Sequence, residues 1–267
     1  MPFAEDHEPR FNETIAFGPM PVEMIWIKLD TRAYRTCNRD HIRRHYHRFE
    51  DVAPLDGLVV TGAAVDTVPL SHVAFWPELA TILKAANDGG TLVLGLCWGA
   101  IAVGATLGVP AVRYERKLFG VFETRLLAKG SAWKAAKSDT FWCPHSRYAG
   151  LDPIAVAAGV ATGRLELIAH AAEAGDVIVA TPDHRRMMHL GHPEYTAQRL
   201  VDEYERDRAA GRTNAQPPRH VDLRNPQEPW LAHRRAFFGG WLADVAALAR
   251  SRECETPAVC FQSKTGL

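Results

Sequence analysis

The residues most able to do chemistry cluster around Cys97. The segment T-L-V-L-G-L-C-W-G-A reads as a buried strand, a sharp turn and a helix, with the cysteine at the turn between Gly95 and Gly99. Small neighbours let the backbone pack closely where the central residue is strained, the arrangement of a nucleophile elbow. A helix starting just after Cys97 points its N–H groups and positive end at the sulfur, favouring thiolate. The Trp98 N–H would then donate to an oxyanion. The bland alternative is an inert cysteine buried at a strand end. A thiol nucleophile needs a base. In R-M-M-H-L-G-H-P-E-Y, His192 and Glu194 stand two apart where a strand ends, and Pro193 restricts the backbone between them. A carboxylate so placed can hold the imidazole in one tautomer, so Cys97, His192 and Glu194 form a candidate triad for covalent acyl transfer.

These side chains need a scaffold of strands that end together. Continuous apolar runs at 57–62 and 91–96 read as strands buried on both faces. Residues 22–29 read as an earlier strand, and 165–171, 177–182 and 186–191 as later ones. Helical spacing covers 39–48, 73–87, 98–107, 197–210 and 230–250, and a Pro-rich linker spans 216–229. Strand and helix alternate, which predicts an α/β fold: a mainly parallel sheet flanked by helices. No internal linker divides the chain. The expected organisation is a variable N-terminal segment at 1–19, one α/β domain at 20–252 and a tail at 253–267.

Composition narrows the function classes. The 267 residues are 47% hydrophobic, and 31 Lys+Arg balance 31 Asp+Glu, so a bulk field for nucleic acid is absent. No apolar run reaches the ~20 residues that span a bilayer, and the polar N-terminus lacks a signal-peptide core, so a cytoplasmic protein without membrane contact is expected. Five cysteines (Cys37, Cys97, Cys143, Cys254 and Cys260) contain no CxxC pair, which argues against disulfides and zinc ribbons. His41, His45 and His47 read as a polar surface face, so no metal is expected. The aromatic residues Trp230, Phe237, Phe238 and Trp241 belong to core or to a homodimer interface, with core the blander reading.

The same residues resemble a known family. The elbow together with His-x-Glu is similar to the class I glutamine amidotransferase-like superfamily, whose fold is flavodoxin-like. The finer pattern resembles the homoserine O-succinyl- or O-acetyltransferases. The matching segments, in the family's order, are TRAYRT, EDVAPLDGLVVTGAAVD, VAFWPEL, LCWGA, RKLFGVFE, PHSRY, GHPEY, EYERD and WLAHRRAFFGGWL. The resemblance implies that Cys97 carries an acyl group from acyl-CoA as a thioester. His192 would accept the proton of an amino-acid hydroxyl, with Glu194 orienting it. Lys117, Ser146 and Arg206 match positions that hold the amino acid. Arg206 suits a carboxylate through its planar fork; for each of the three, the alternative is an ordinary surface or turn residue.

Asp66 matches the position that selects the donor, where the family has Gly with succinyl-CoA and Glu with acetyl-CoA. An acidic side chain there repels a free succinyl carboxylate, which favours acetyl-CoA. No permanently bound cofactor is implied; acyl-CoA is a co-substrate. Three departures stand out. The family's opening strand and N-L-M-P-like loop, which helps build the oxyanion site, has no counterpart before 22–29. Ile101 replaces the usual Gln four residues after the cysteine, and the Ala-rich stretch 149–163 differs in detail. Three other readings therefore stay open: the same chemistry on serine or another hydroxy amino acid, a glutaminase or amidohydrolase, and a catalytically weakened binding protein. Ile101 counts against glutaminase.

Overall fold

From Leu92 to Leu96 every side chain is buried, and alternate residues face opposite ways. Val93 joins a core that includes Leu79, Ile82 and Trp98; Leu92, Leu94 and Leu96 join another with Phe237, Phe238 and Trp241. This period-two split marks a strand covered by helices on both faces. The computed structural model of the chain describes residues 4–16, 18, 21–35, 37–127, 138–212 and 215–255.

Within those residues the chain opens with α1 (Ala4–Ile15), β1 (Trp26–Ile27), α2 (Arg39–His45), β2 (Tyr46–His47) and α3 (Phe49–Val52). Then come β3 (Gly57–Val60), α4 (Trp76–Asp88), β4 (Leu92–Leu96) and α5 (Trp98–Thr106). The long strands β5 (Ala111–Leu126) and β6 (Thr140–Leu151) follow, then α6 (Pro153–Ala161), β7 (Glu166–Ala171), β8 (Gly175–Ala180) and β9 (Arg186–His189). The last elements are α7 (Ala197–Ala209) and α8 (Leu231–Glu255). The main sheet runs in the order β3-β4-β9-β8-β7-β5-β6. Its parallel part, β3-β4-β9, is the expected α/β nucleus; β8, β7, β5 and β6 extend it as an antiparallel wing.

Several expected elements are adjusted. Of 22–29 only Trp26–Ile27 pairs, and it pairs with β2 in a separate two-stranded sheet. The helix expected at 39–48 stops at His45, where Tyr46 turns extended. The segment 1–19 contributes α1, whose Phe11 ring meets Phe238 edge-on at 6.1 Å. Helix α8 runs past 252 to Glu255, so the tail begins later than expected. Trp230, Phe237, Phe238 and Trp241 are buried inside the chain, which takes them out of any interface. Cys260 and residues 256–267 lie outside the described residues. No helix among the described residues is long and apolar enough to cross a membrane.

The elbow itself depends on two glycines. A Cβ on Gly95 would sit 2.4 Å from the Gly99 carbonyl oxygen, and one on Gly99 would sit 1.9 Å from the Val60 carbonyl oxygen. Helix α5 therefore packs its backbone directly on β3 and β4. Gly99→Ala is expected to cost about 3 kcal/mol of stability through this overpacking. A chemical-denaturation midpoint equal to that of the parent chain would contradict it.

Candidate active site

Cys97 sits between the last residue of β4 and the first of α5, with φ 53° and ψ −113°. That backbone conformation is strained for a residue with a side chain, and strain of this sort collects at functional sites. The neighbours hold it there. The Cys97 N–H donates to the His189 carbonyl at 2.8 Å, continuing the β4–β9 ladder, and Ala100 N–H donates back to the Cys97 carbonyl at 3.0 Å. The side chain lies at the N-terminus of α5, where Trp98 supplies the first helical amide. The Cys97 sulfur is 3.9 Å from the Ser146 carbonyl oxygen.

His192 reaches the sulfur from the loop after β9. Its own N–H donates to the Pro144 carbonyl at 2.8 Å, which ties the loop to β6. Its Nδ1 meets Glu194 Oε1 at 2.7 Å, and its ring stacks on Tyr195 at 4.0 Å. Burial opposes a charge on this ring, but Cys97, Tyr195 and Glu194 together outweigh it and hold the His192 pKa well above the ordinary histidine value. The arrangement is that of a thiol–imidazole–carboxylate relay in which Glu194 fixes Nδ1 and leaves Nε2 for the sulfur and its substrate.

Cys143 offers a contrast within the same region. It is fully buried against Gly191, and burial raises its thiol pKa far above the ordinary value. A thiol so placed is inert.

All seven residues singled out by side chain line one cavity of about 550 Å³: Cys97, His192, Glu194, Lys117, Ser146, Arg206 and Asp66. The loop after β3 walls it on one side. Gly62 lies so close that a Cβ would come 3.2 Å from His192 Cε1 and 3.5 Å from Cys97 Cβ. Lys117 from β5 is mostly buried in the same cavity and donates to Glu203 at 2.6 Å and Asp207 at 3.2 Å. Ser146 donates to the same Glu203 oxygen at 2.5 Å. Burial alone would raise the Glu203 pKa; Lys117 and the two hydrogen bonds more than offset it, so the carboxyl stays ionised.

Arg206 is half exposed and leans on Asp207 at 3.4 Å and Glu203 at 3.9 Å. Asp66 accepts a hydrogen bond from the Tyr148 N–H at 2.6 Å, which pins the β3 loop to β6. Ile101, where the family pattern has Gln, is buried in the core beneath α5.

Sequence reasoning missed Glu203, Asp207, Tyr195 and Arg199. Arg199, Glu203, Arg206 and Asp207 recur at helical spacing on α7, and that one-face pattern was the signal available.

Solved structures share the architecture at little sequence identity. A glutamine amidotransferase from Thermotoga maritima aligns with a TM-score of 0.55 at 13% identity, covering 78% of this chain and 90% of that one. A glutamine amidotransferase from Methylobacillus flagellatus aligns with a TM-score of 0.56 at 14% identity, over 78% of this chain and 88% of that one. These likenesses define the fold: the chain has the architecture of these glutamine amidotransferases. The sequence is more specific. The family model described as homoserine O-succinyltransferase matches residues 1–249, and a homoserine O-succinyltransferase from Erwinia tasmaniensis is 33% identical over 251 residues, 91% of this chain and 80% of that protein. The chain belongs to the homoserine O-succinyltransferase family and is an acyltransferase.

Proposed function

We propose that the protein transfers a short acyl group from acyl-CoA to the side-chain hydroxyl of homoserine, through a thioester on Cys97. The observation that carries this reading is that Cys97 and the His192–Glu194 pair line the same cavity as Lys117, Glu203, Ser146 and Arg206. In the first half-reaction the Cys97 sulfur attacks the thioester carbonyl of acyl-CoA, and the carbonyl oxygen turns towards the Trp98 amide at the α5 N-terminus. The carbon–sulfur bond to CoA breaks, and the CoA thiol leaves with a proton from His192. In the second, the acceptor hydroxyl gives its proton to His192 as its oxygen attacks the acyl-enzyme, and Cys97 is released. The cavity offers both charge signs for a zwitterionic amino acid.

Donor choice rests on Asp66. Its carboxylate lines the cavity and accepts from Tyr148, so a donor ending in a methyl group is accommodated and one ending in a second carboxylate is repelled. We infer acetyl-CoA as the donor. Asp66→Asn removes the charge while keeping an oxygen for the Tyr148 N–H. It is expected to raise the ratio of succinyl to acetyl transfer by about tenfold, the effect of relieving roughly 1.4 kcal/mol of repulsion. An unchanged ratio contradicts the assignment.

Steady-state kinetics test the reaction as a whole. With acetyl-CoA and homoserine varied together, parallel double-reciprocal lines are expected, the pattern of a covalent relay. Intersecting lines, or serine turned over in preference to homoserine, contradict it. Release of ammonia from glutamine would place the chain with the glutaminases instead.

A further inference from the structure

The charged groups of the cavity are almost all answered by opposite charges. Lys117 pairs with Glu203 and Asp207, Arg206 with the same two, Arg212 with Asp207 at 3.2 Å, and His192 with Glu194. Arg199 is different. It lines the same cavity, yet no described carboxylate stands within ion-pair distance of it. Its Nε is buried without a hydrogen-bond partner among the described residues. Its guanidinium lies over the Tyr195 ring, 5.7 Å from the centroid, and that ring stacks on His192.

Arg199 falls in the first turn of α7, after the Thr196 cap, where the helix end is positive and a cation is disfavoured. The carboxylate near that end, Glu228, accepts from the Ala197 N–H at 3.0 Å but pairs its other oxygen with Arg234 at 3.0 Å. A buried, unpaired N–H on a cation costs free energy unless an acceptor arrives. An anion in the cavity would satisfy the guanidinium.

We propose that Arg199 is a second receptor for a substrate carboxylate, beside Arg206. This rests on the acyl-transfer reading and deepens it. Arg206 shares its charge with Asp207 and Glu203, and Arg199 adds an unpaired guanidinium to the same cavity. The chemistry is a carboxylate on one face of a stacked guanidinium. Its source within the proposed reaction is the α-carboxylate of the acceptor; the far carboxylate of a dicarboxylic acyl donor is the rival source that the test distinguishes.

Binding and turnover separate the outcomes. Thermal-shift titrations of the intact protein would use homoserine, succinate and 3-amino-1-propanol, the last being homoserine without its carboxylate. The stabilisation by homoserine or by succinate should weaken by about tenfold or more in apparent affinity in Arg199→Gln, with the aminoalcohol little affected. Arg199→Lys should recover part of the loss, as a point charge without the fork does. In turnover, an acceptor-derived carboxylate appears as a raised homoserine KM, with the 3-amino-1-propanol KM held. A donor-derived one appears as a fall in the ratio of succinylation to acetylation of the enzyme.

Titrations that match in the parent and Arg199→Gln overturn the proposal, and so does an equal loss for homoserine and its carboxylate-free analogue. These titrations need no acyl-enzyme, so failure of the thioester chemistry shows in the acylation measurement and failure of Arg199 shows in binding.

Discussion

Cys97→Ala is expected to lower turnover by about four orders of magnitude or more, because it removes the atom that holds the acyl group between the two half-reactions. The fold should persist. The Cys97 side chain makes one long contact, to the Ser146 carbonyl, and alanine keeps the Cβ around which the strained turn is built. Circular dichroism and a thermal midpoint near that of the parent would separate lost chemistry from lost structure. Cys97→Ser is the finer probe: its hydroxyl can accept an acyl group but is a weaker nucleophile beside the same imidazole, so slow acylation without efficient turnover is expected. Full activity in Cys97→Ala would remove the sulfur from the mechanism. Transfer of the role to Cys143 is opposed by its burial and raised pKa.

His192→Ala should cost roughly two to four orders of magnitude in kcat, the usual range for losing a positioned general base. The structure adds a second readout. His192 lines the same cavity as Cys97, and its raised pKa reflects in part the attraction of that sulfur. Removing the ring withdraws a positive neighbour from the thiol, so alkylation of Cys97 by iodoacetamide at neutral pH should slow in His192→Ala. Glu194→Gln should fall between the parent and His192→Ala, since Glu194 orients the ring and does not itself touch the sulfur's substrate. If alkylation and turnover are both indifferent to His192, the imidazole is a structural strut between β9 and β6.

How much of this was legible depended on how local each signal was. The elbow needed only its neighbours: Gly95 and Gly99 are small because backbone atoms of Gly99 and Val60 occupy the space where a Cβ would go. The His192–Glu194 pair was likewise visible, since two residues flanking a proline can meet without help from the rest of the chain. The long hairpin of β5 and β6 was not legible as strands. In AVRYERKLFGVFETRL charged residues interrupt the apolar alternation, and the ladder itself shifts register between Arg113 and Leu118. Pro144 inside β6 argues against a central strand; it is tolerated because β6 is the sheet's edge.

The charged part of the cavity was half legible. Lys117 and Arg206 were named through the family pattern, but the carboxylates that answer them are separated by 86 and 90 residues from Lys117. Only the packing of α7 beside β5 and β6 brings Glu203 to both Lys117 and Ser146. Arg199 carried no motif at all; its meaning comes from a missing partner, and that is a property of the folded cavity. The N-terminal departure from the family also reads differently in three dimensions. There α1 packs on α8 through Phe11 and Phe238, and Gly62 lies against Cys97 and His192.

Intact-protein mass spectrometry of the parent chain, mixed with acetyl-CoA and then chased with homoserine, bears on the central claim most directly. The account predicts a gain of ~42 Da that maps to the peptide bearing Cys97 and disappears on the chase as O-acetylhomoserine forms. Product formed with no such adduct at any time, or an adduct that maps to another residue and discharges to homoserine, would contradict it.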